Sequence, residues 1–387
     1  MLQRLRRSSI AVASVVLLGA TAAVRAEPPR SVADANLDRA LQALVRMPGG
    51  PPGVIALVQR GGELRVHRAG VADVDTHRAP EADDFMRIAS VAKAFSGAVA
   101  LSLVDDGVLS LDDTIGTWLP QLPAAWHAVT LRQLLGHTSG LPDFTATTGL
   151  REAFFASPTV APPPSMLLTF AYGLPLEFTP GTRYHYSNSD NIAVGLMAAA
   201  ASGKSYEELL AEQVTGPLGL GDTTLPAGLE IGTPLIHGYA REGFDVLVDQ
   251  TAIAAAGWAW ASGGVVSTPR DLNDFIRGYV SGALFGSAVQ DEQAQFVPGG
   301  GSEPRGPGHN AAGLALFRYE TPCGTVYGHT GNTFGYTQFA AASRDGDRSV
   351  TVSINLQRTQ NSPRNEHAVF LALRHAEQLA VCAALAD

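Results

Sequence analysis

Lysine is nearly absent from this 387-residue chain. Of its 27 basic residues, only Lys93 and Lys204 are lysines, and the net charge is −9. Nucleic acid is not an expected partner, because binding it needs a concentrated basic face. A charged fraction of 16% beside a hydrophobic fraction of 45% excludes a disordered chain, since such a composition can bury a large core.

The sequence also lacks an apolar run of the roughly 20 residues that a membrane-spanning helix needs. The run 10–20 is short, follows a basic start and precedes the small-x-small site Val24-Arg25-Ala26, while the stretch 365–385 is interrupted by Arg374 and Glu377. A basic start, a short apolar run and such a site are typical of a secretory signal peptide. We expect a signal peptide at 1–26, an exported domain at 27–387, and a secreted protein, periplasmic or extracellular, without a membrane anchor.

Cysteine is equally scarce, with Cys323 and Cys382 alone. In an oxidising compartment such a pair is more often bridged than free, and two buried thiols are the alternative. The ten histidines show no His-Glu-x-x-His or comparable ligand spacing, so we expect no metal and no cofactor. The lack of any Gly-x-Ser-x-Gly disfavours an α/β-hydrolase.

Five β-rich segments joined mostly by turns predict an antiparallel sheet. The first two flank Gly61-Gly62, a pair suited to a two-residue hairpin in which both residues have positive φ. Helical stretches at 90–106 and 365–385 can cover the two faces of the sheet. We therefore predict an α+β fold: a five-stranded antiparallel sheet flanked by N- and C-terminal helices, with a mostly helical insert at about 111–264. The five segments are 53–60, 63–70, 325–331, 335–342 and 348–356, and the Gly/Pro-rich stretch 286–310 is expected to be a mobile loop.

The helix predicted from residue 90 begins with Ser90-Val91-Ala92-Lys93. A spacing of three places Ser90 and Lys93 on one helix face, about 5 to 6 Å apart at Cβ. A hydroxyl becomes a good nucleophile when a neighbour takes its proton, and a lysine with a lowered pKa can do this. Arginine cannot, so a lysine here, in a chain that otherwise uses arginine, indicates a titratable role.

A second candidate element is Tyr186-Ser187-Asn188, after the turn formed by Pro180-Gly181. Tyr186 can relay protons, and Asn188 can hold a substrate amide. An overlapping Ser189-Asp190-Asn191 matches the second motif of one class of penicillin-recognising enzymes. We favour the first triplet, because an extended segment that enters a helix near residue 191 exposes the first triplet and buries the second.

A third element, His329-Thr330-Gly331-Asn332, follows Tyr327 on a predicted strand. Gly331 permits close approach of a substrate backbone, and the N–H of Asn332 can point at an oxyanion. An edge strand at this position would bind an extended acyl chain. A similar string, His137-Thr138-Ser139-Gly140, occurs elsewhere in the chain. One triplet of this kind is therefore weak evidence by itself.

Ser-x-x-Lys, Tyr-x-Asn and His-Thr-Gly in this order are far more specific together than singly. On these motifs the chain resembles the serine β-lactamase and penicillin-binding superfamily, on the branch that holds class C β-lactamases, family VIII esterases and secreted D-alanyl-D-alanine carboxypeptidases. The strings 134–141 and 261–267 are also similar to that family's. The likeness extends from about residue 40 to residue 382 and is greatest to the carboxypeptidases, which share a Cys-Gly before Tyr-Gly-His-Thr-Gly and a cysteine near the C-terminus.

The resemblance implies that Ser90 is acylated while Lys93 and Tyr186 share the proton transfers; which of the two is the base stays open, since they would titrate as a coupled pair. It implies substrate and oxyanion contacts from the second and third motifs, and it places Trp258 where such carboxypeptidases have an aromatic wall, although a tryptophan buried for core volume is the alternative. The contact residues are Asn188, His329, Thr330, Gly331 and Asn332.

Two departures weaken the site for a terminal carboxylate. The arginine that such carboxypeptidases carry six residues before the cysteine is Phe317 here, and Arg318 points to the opposite face of a strand. A hydroxyl donor expected after His-Thr-Gly is replaced by Asn332. Both changes favour neutral amides or esters.

The leading functional hypothesis is a secreted serine hydrolase of the D-alanyl-D-alanine carboxypeptidase kind. It would act on small peptides or esters, including peptidoglycan stem peptides, and would be acylated by β-lactams. A family VIII-type carboxylesterase or a β-lactamase on the same site are alternatives. A non-catalytic protein that binds cell-wall peptides is disfavoured, because it has no need of a base beside a hydroxyl.

Overall fold

The centre of the fold is an antiparallel sheet of eight strands in this computed structural model, which describes residues 31–242, 246–359 and 364–386. The predicted signal peptide lies outside the described residues. In chain order the strands are β1 (Gly53–Arg60), β2 (Glu63–Gly70), β3 (Val297–Pro298), β4 (His309–Ala312), β5 (Phe317–Thr321), β6 (Gly324–Thr333), β7 (Tyr336–Ala342) and β8 (Arg348–Ile354). Their spatial order is β2-β1-β8-β7-β6-β5-β4-β3.

The α+β fold class is confirmed, but the predicted count of five strands was too low. The five expected segments are β1, β2, β6, β7 and β8, and three further short strands extend the sheet beyond β6. Strands β3 and β4 have two and four residues, too few to show alternation in the sequence. The expected loop at 286–310 therefore contributes two strands and a short helix, Ser287–Gln293.

The β1–β2 hairpin forms as predicted, with Arg60 paired to Glu63 across Gly61-Gly62. Only Gly61 has a positive φ, of 54°. A positive φ at the first central residue alone is the pattern of a type II′ turn, so the expectation of positive φ at both glycines was wrong.

Two hydrophobic cores lie on the two faces of the sheet. Helices α1 (Val32–Arg46) and α9 (Arg364–Leu385) cover one face, while α2 (Ala92–Asp105) and α7 (Pro269–Ser281) cover the other. In β1, Val54 and Val58 face the first core, and Ile55 and Leu57 face the second. This alternation follows from the two-residue period of a strand, and both faces are covered.

Between residues 111 and 264 the chain forms short helices, loops and a small two-stranded sheet that joins Tyr239–Glu242 to Val246–Asp249. The α-helices of at least five residues in this region are α3 (Leu131–Leu135), α4 (Thr148–Ala156), α5 (Asn188–Ser202) and α6 (Tyr206–Leu210), and a π-helical turn, Ala211–Thr215, continues α6; further along the chain, α8 is Ser287–Gln293. Helix α5 packs against α2. The division into a sheet domain and an inserted domain stays a prediction.

By length and composition, one described helical segment, His367–Leu385, could cross a membrane. Half of that segment is buried inside the protein, where it packs against α1 and the sheet. Burial of this kind is typical of a core helix.

A disulfide joins Cys323, in the turn between β5 and β6, to Cys382 near the end of α9. The two cysteines are 59 residues apart. Closing a loop of that length removes unfolded-state entropy worth about 4 kcal/mol. The bridge therefore fixes the last helix to the strand that carries His329 and Asn332.

We expect the double variant Cys323→Ser/Cys382→Ser to lose up to about 4 kcal/mol of unfolding free energy, because its unfolded chain regains loop entropy. Urea unfolding measures the loss. Dithiothreitol should lower the stability of the unsubstituted protein by the same amount and leave the double variant unchanged. Equal stability of the two proteins under oxidising conditions would contradict the expectation.

Candidate active site

Ser90 lies in a 3-10 turn, Ala89–Val91, that leads directly into α2. Almost every side chain of α2 is buried, because its sequence is apolar on all sides, as expected of a helix enclosed by protein. The turn is fixed by this enclosed helix, with Ala89 at a φ of 51°. Ser90 itself is partly exposed at the floor of a cleft.

The side chain of Lys93 is fully buried and its Nζ atom has three oxygen neighbours. Nζ lies 3.2 Å from Ser90 Oγ, 2.7 Å from Asn188 Oδ1 and 2.7 Å from the backbone oxygen of Ser262. The two residues of the Ser-x-x-Lys motif are therefore in contact, as their spacing predicts.

Burial lowers the pKa of the Lys93 ammonium to about 7, because a charged amine is poorly solvated in the interior. The nearby carboxylate of Asp143 acts in the opposite direction. Lys93 is therefore poised to exchange a proton near neutral pH.

Asn188 is the first residue of α5 and links Lys93 to Asp143. The Asp143 carboxylate accepts hydrogen bonds from the Asn188 backbone N–H at 3.2 Å and from its Nδ2 at 2.9 Å. These bonds orient the amide so that its oxygen faces Lys93. Sequence reasoning missed Asp143, since the only signal was an aspartate after proline in a loop.

Tyr186 is partly exposed, but its hydroxyl oxygen is buried beside Ser90. Among the described residues this hydroxyl has no hydrogen-bond partner of standard geometry. Burial raises its pKa well above the usual value, so the phenol stays protonated. The Lys93 Nζ lies 5.0 Å from the centre of the Tyr186 ring.

The overlapping triplet Ser189-Asp190-Asn191 is buried inside α5. The helix begins at Asn188, three residues earlier than expected. The first triplet thus faces the cleft through Tyr186 and Asn188, and the second faces the interior.

Strand β6 is internal where it pairs with both neighbours and open where it passes Ser90. Its partner β5 reaches only Gly328, whereas β7 pairs with it as far as Thr333. Residues 329–333 thus have no strand partner on the β5 side among the described residues. Asn332, at this open half, lines the cleft.

Gly331 lies against the Ser90 turn rather than against open space. A Cβ atom at this position would lie 2.4 Å from the Ile88 oxygen and 3.1 Å from the Ser90 nitrogen. The glycine therefore allows the strand and the turn to touch, which brings the backbones of Ser90 and Asn332 to the same end of the cleft.

His329 and Thr330 are fully buried and do not line the cleft. The His329 ring packs against the edge of Phe317, with ring centres 4.9 Å apart, and burial lowers its pKa to about 3. The Thr330 hydroxyl is hydrogen-bonded to Ser302 Oγ at 2.6 Å and to the Pro304 oxygen. Both residues therefore hold the strand in place in this structure.

The cleft has a volume of about 500 Å³ and is lined by polar side chains. Its described lining includes no Trp258, which lies in an adjacent apolar pocket of about 300 Å³. Thr145 lines both spaces, so they are neighbours. The apolar lining of the second pocket includes Leu150, Phe154, Phe155, Ile253, Trp258 and Phe334.

The position at which the resemblance leads us to expect a carboxylate-binding arginine holds Phe317, and two other arginines lie elsewhere. Phe317 is buried, and Arg318 pairs with Glu320 at 2.9 Å and covers the Phe296 ring. Arg305, from the loop before β4, lines the cleft. Within the described ranges no group of three or more His, Cys, Asp or Glu side chains is arranged to hold a metal ion.

Two solved structures are similar over most of the chain. A D-stereospecific amidohydrolase from Streptomyces sp. superposes with a TM-score of 0.76 at 26% identity, over 89% of this chain and 98% of that one. The D-amino acid amidase from Ochrobactrum anthropi SV3, complexed with L-phenylalanine amide, gives a TM-score of 0.74 at 25% identity over the same shares.

A curated relative is the D-alanyl-D-alanine-carboxypeptidase/endopeptidase AmpH of Escherichia coli K12. It is 31% identical over 251 residues, which are 63% of this chain and 61% of that protein. The match thus spans less than two thirds of the relative's length. The family model described as Beta-lactamase matches residues 37–374. Since that match covers most of the sequence, the chain belongs to the beta-lactamase family, a family of serine acyl-transferring hydrolases.

Proposed function

We propose that this protein is a serine hydrolase that forms an acyl-enzyme on Ser90 and cleaves peptide or amide bonds of D-amino acids. The observation that carries the proposal is the bonding around Lys93 Nζ. A neutral amine has two hydrogens and one lone pair. The Asn188 and Ser262 carbonyl oxygens, each at 2.7 Å, accept the two hydrogens, which leaves the lone pair for the Ser90 hydroxyl.

In the acylation step Ser90 Oγ attacks the substrate carbonyl carbon while its proton passes to Lys93 Nζ. The backbone N–H groups of Ser90 and Asn332 stabilise the oxyanion. The protonated Tyr186 hydroxyl then donates to the leaving amine and recovers a proton from Lys93. Water attack on the ester reverses these transfers and releases the acid.

The finer proposal is a D-alanyl-D-alanine carboxypeptidase-like activity on peptidoglycan stem peptides, with β-lactams as acylating ligands. The AmpH relative bears that activity in its name, and Arg305 in the cleft offers a cation for a terminal carboxylate. An exported protein, with residues 1–26 as signal peptide, fits a substrate outside the cytoplasm.

A second candidate is hydrolysis of neutral amides or esters with an apolar side chain. It is favoured by the apolar pocket beside the cleft. It is also favoured by the buried Phe317, which stands where the resemblance leads us to expect a carboxylate-binding arginine. The names of the two similar structures describe a D-stereospecific amidohydrolase and a D-amino acid amidase.

Replacing Ser90 with Ala should abolish covalent labelling by benzylpenicillin, because the attacking oxygen is gone. Intact mass of residues 27–387, followed by peptide mapping, measures the adduct. The exposed Ser281→Ala variant is the matched control and should label normally. An adduct that persists in Ser90→Ala, or labelling elsewhere in the unsubstituted protein, would sink the proposal.

Acylation should depend on the protonation of Lys93, whose folded pKa lies near 7. The base acts in its neutral form, so the rate should rise about tenfold per pH unit up to pH 7 and level above it. Lys93→Arg, which stays protonated, should lose acylation at every pH. An acylation rate that still rises through pH 9 would mean that a group other than Lys93 controls the pH dependence.

Substrate choice separates the two candidates. Burial of a phenyl ring in the apolar pocket is worth about 2 kcal/mol, or about 30-fold in kcat/KM. The second candidate predicts that D-phenylalanine amide is cleaved faster than D-alanine amide, and that Phe334→Ala reduces this preference. Faster cleavage of an N-acylated D-Ala-D-Ala peptide would instead support the carboxypeptidase.

A further inference from the structure

Two sequence motifs outside the proposed chemistry meet behind the cleft. They are His137-Thr138-Ser139-Gly140, after α3, and Ser189-Asp190-Asn191, in α5. His137 Nδ1 lies 2.7 Å from Asp190 Oδ2, and Ser139 Oγ donates to Asp190 Oδ1 at 2.5 Å. All three side chains are buried.

His137 holds both chain neighbours of Tyr186. The backbone N–H of His185 donates to the His137 backbone oxygen at 2.8 Å. The backbone N–H of Ser187 donates to His137 Nδ1 at 3.4 Å. One histidine thus fixes the backbone on each side of the tyrosine.

The imidazole ring of His137 also packs against the phenol ring, with ring centres 4.5 Å apart. The Tyr186 hydroxyl has no partner of standard geometry among the described residues. Its position beside Ser90 therefore depends on packing of the ring and on the backbone bonds, and His137 contributes to both.

Asp190 fixes the orientation of His137. Burial lowers the pKa of His137 to about 3 and raises the pKa of Asp190 well above its usual value. Burial therefore disfavours the charged form of each group, and the Ser187 N–H directed at Nδ1 favours the tautomer in which Nδ1 accepts a hydrogen bond from Asp190. His137 has a φ of 52°, a strained conformation that surrounding bonds must maintain.

We propose that the Asp190–His137 pair, braced by Ser139, is a positioning unit that places the Tyr186 hydroxyl beside Ser90. This inference rests on the proposed acylation of Ser90. Neither residue touches substrate; they act through Tyr186. Loss of the pair should displace the phenol by a fraction of an ångström to about one, a shift that costs on the order of 100-fold in rate.

The test measures the release of p-nitroaniline from D-alanine p-nitroanilide, whose leaving amine needs the proton that Tyr186 supplies, by residues 27–387 carrying Asp190→Leu, His137→Phe or Ser139→Ala. Asp190→Leu removes the hydrogen bonds to His137 and Ser139. His137→Phe keeps a ring packed against Tyr186 but removes the hydrogen bond to Asp190. Asp190→Asn is the rescue variant, since its Nδ2–H can donate to His137 Nδ1 while its oxygen accepts from Ser139.

His67→Phe is the matched control. His67 is also a buried histidine, with Nδ1 2.8 Å from Oδ1 of the partly exposed Asp38, but it lies on β2, at the far edge of the sheet from β3. Urea unfolding of every variant shows how much stability each bond contributes. The control should lose stability without losing acylation rate.

A double-mutant cycle separates positioning from general destabilisation. If the pair acts through Tyr186, His137→Phe as the only substitution should slow acylation on the order of 100-fold. In a Tyr186→Phe background it should slow acylation less than about threefold, because the group that it positions is already gone.

The proposal is overturned if the variants that fold acylate within about threefold of His67→Phe, if Asp190→Asn fails to restore the rate lost in Asp190→Leu, or if the cycle is additive. If Asp190→Leu does not fold, Ser139→Ala and the cycle decide. No Ser90-dependent release of p-nitroaniline by the unsubstituted protein refutes the proposed function itself, whereas normal release by all variants refutes only the positioning unit.

Discussion

The burial of one amine constrains the rest of this site. An ammonium group removed from water loses its solvation, and Lys93 is fully buried. Three separate segments must therefore supply its partners: the 3-10 turn with Ser90, the start of α5 with Asn188, and the short helix with Ser262. The same burial that demands these partners lowers the pKa of Lys93 to about 7. Stability and proposed chemistry thus depend on a single placement.

The sheet also constrains the position of Ser90. Strand β6 runs past the Ser90 turn so closely that only glycine fits at position 331, and β5 ends at Gly328, which leaves the edge open beside the cleft. The disulfide from the β5–β6 turn to α9 restrains the same strand at its opposite end. Strand β6 is therefore held at both ends, by the Ser90 turn and by the disulfide.

The sequence alone predicted the elements that depend on local patterns. The hairpin at Gly61-Gly62, the long strands and the helix after Ser90 follow from turn residues, apolar runs and periodicity. It missed strands β3 to β5, since segments of two to five residues carry too little pattern. It also placed His329, Thr330 and Trp258 at the cleft, where the described structure buries the first two in the sheet and puts Trp258 in a neighbouring pocket.

The sequence by itself determined the α+β class, the three motifs and the contact of Ser90 with Lys93, because three residues along a helix always bring two side chains together. Only the tertiary structure decided which of the similar motifs line the cleft and which are buried behind it. Asp143 and His137 are separated in sequence from Lys93 and Tyr186 by dozens of residues, and their contacts depend on how α5 packs in the core, against α2 among other elements. Such packing is set by the shape of the whole core, which no local pattern encodes.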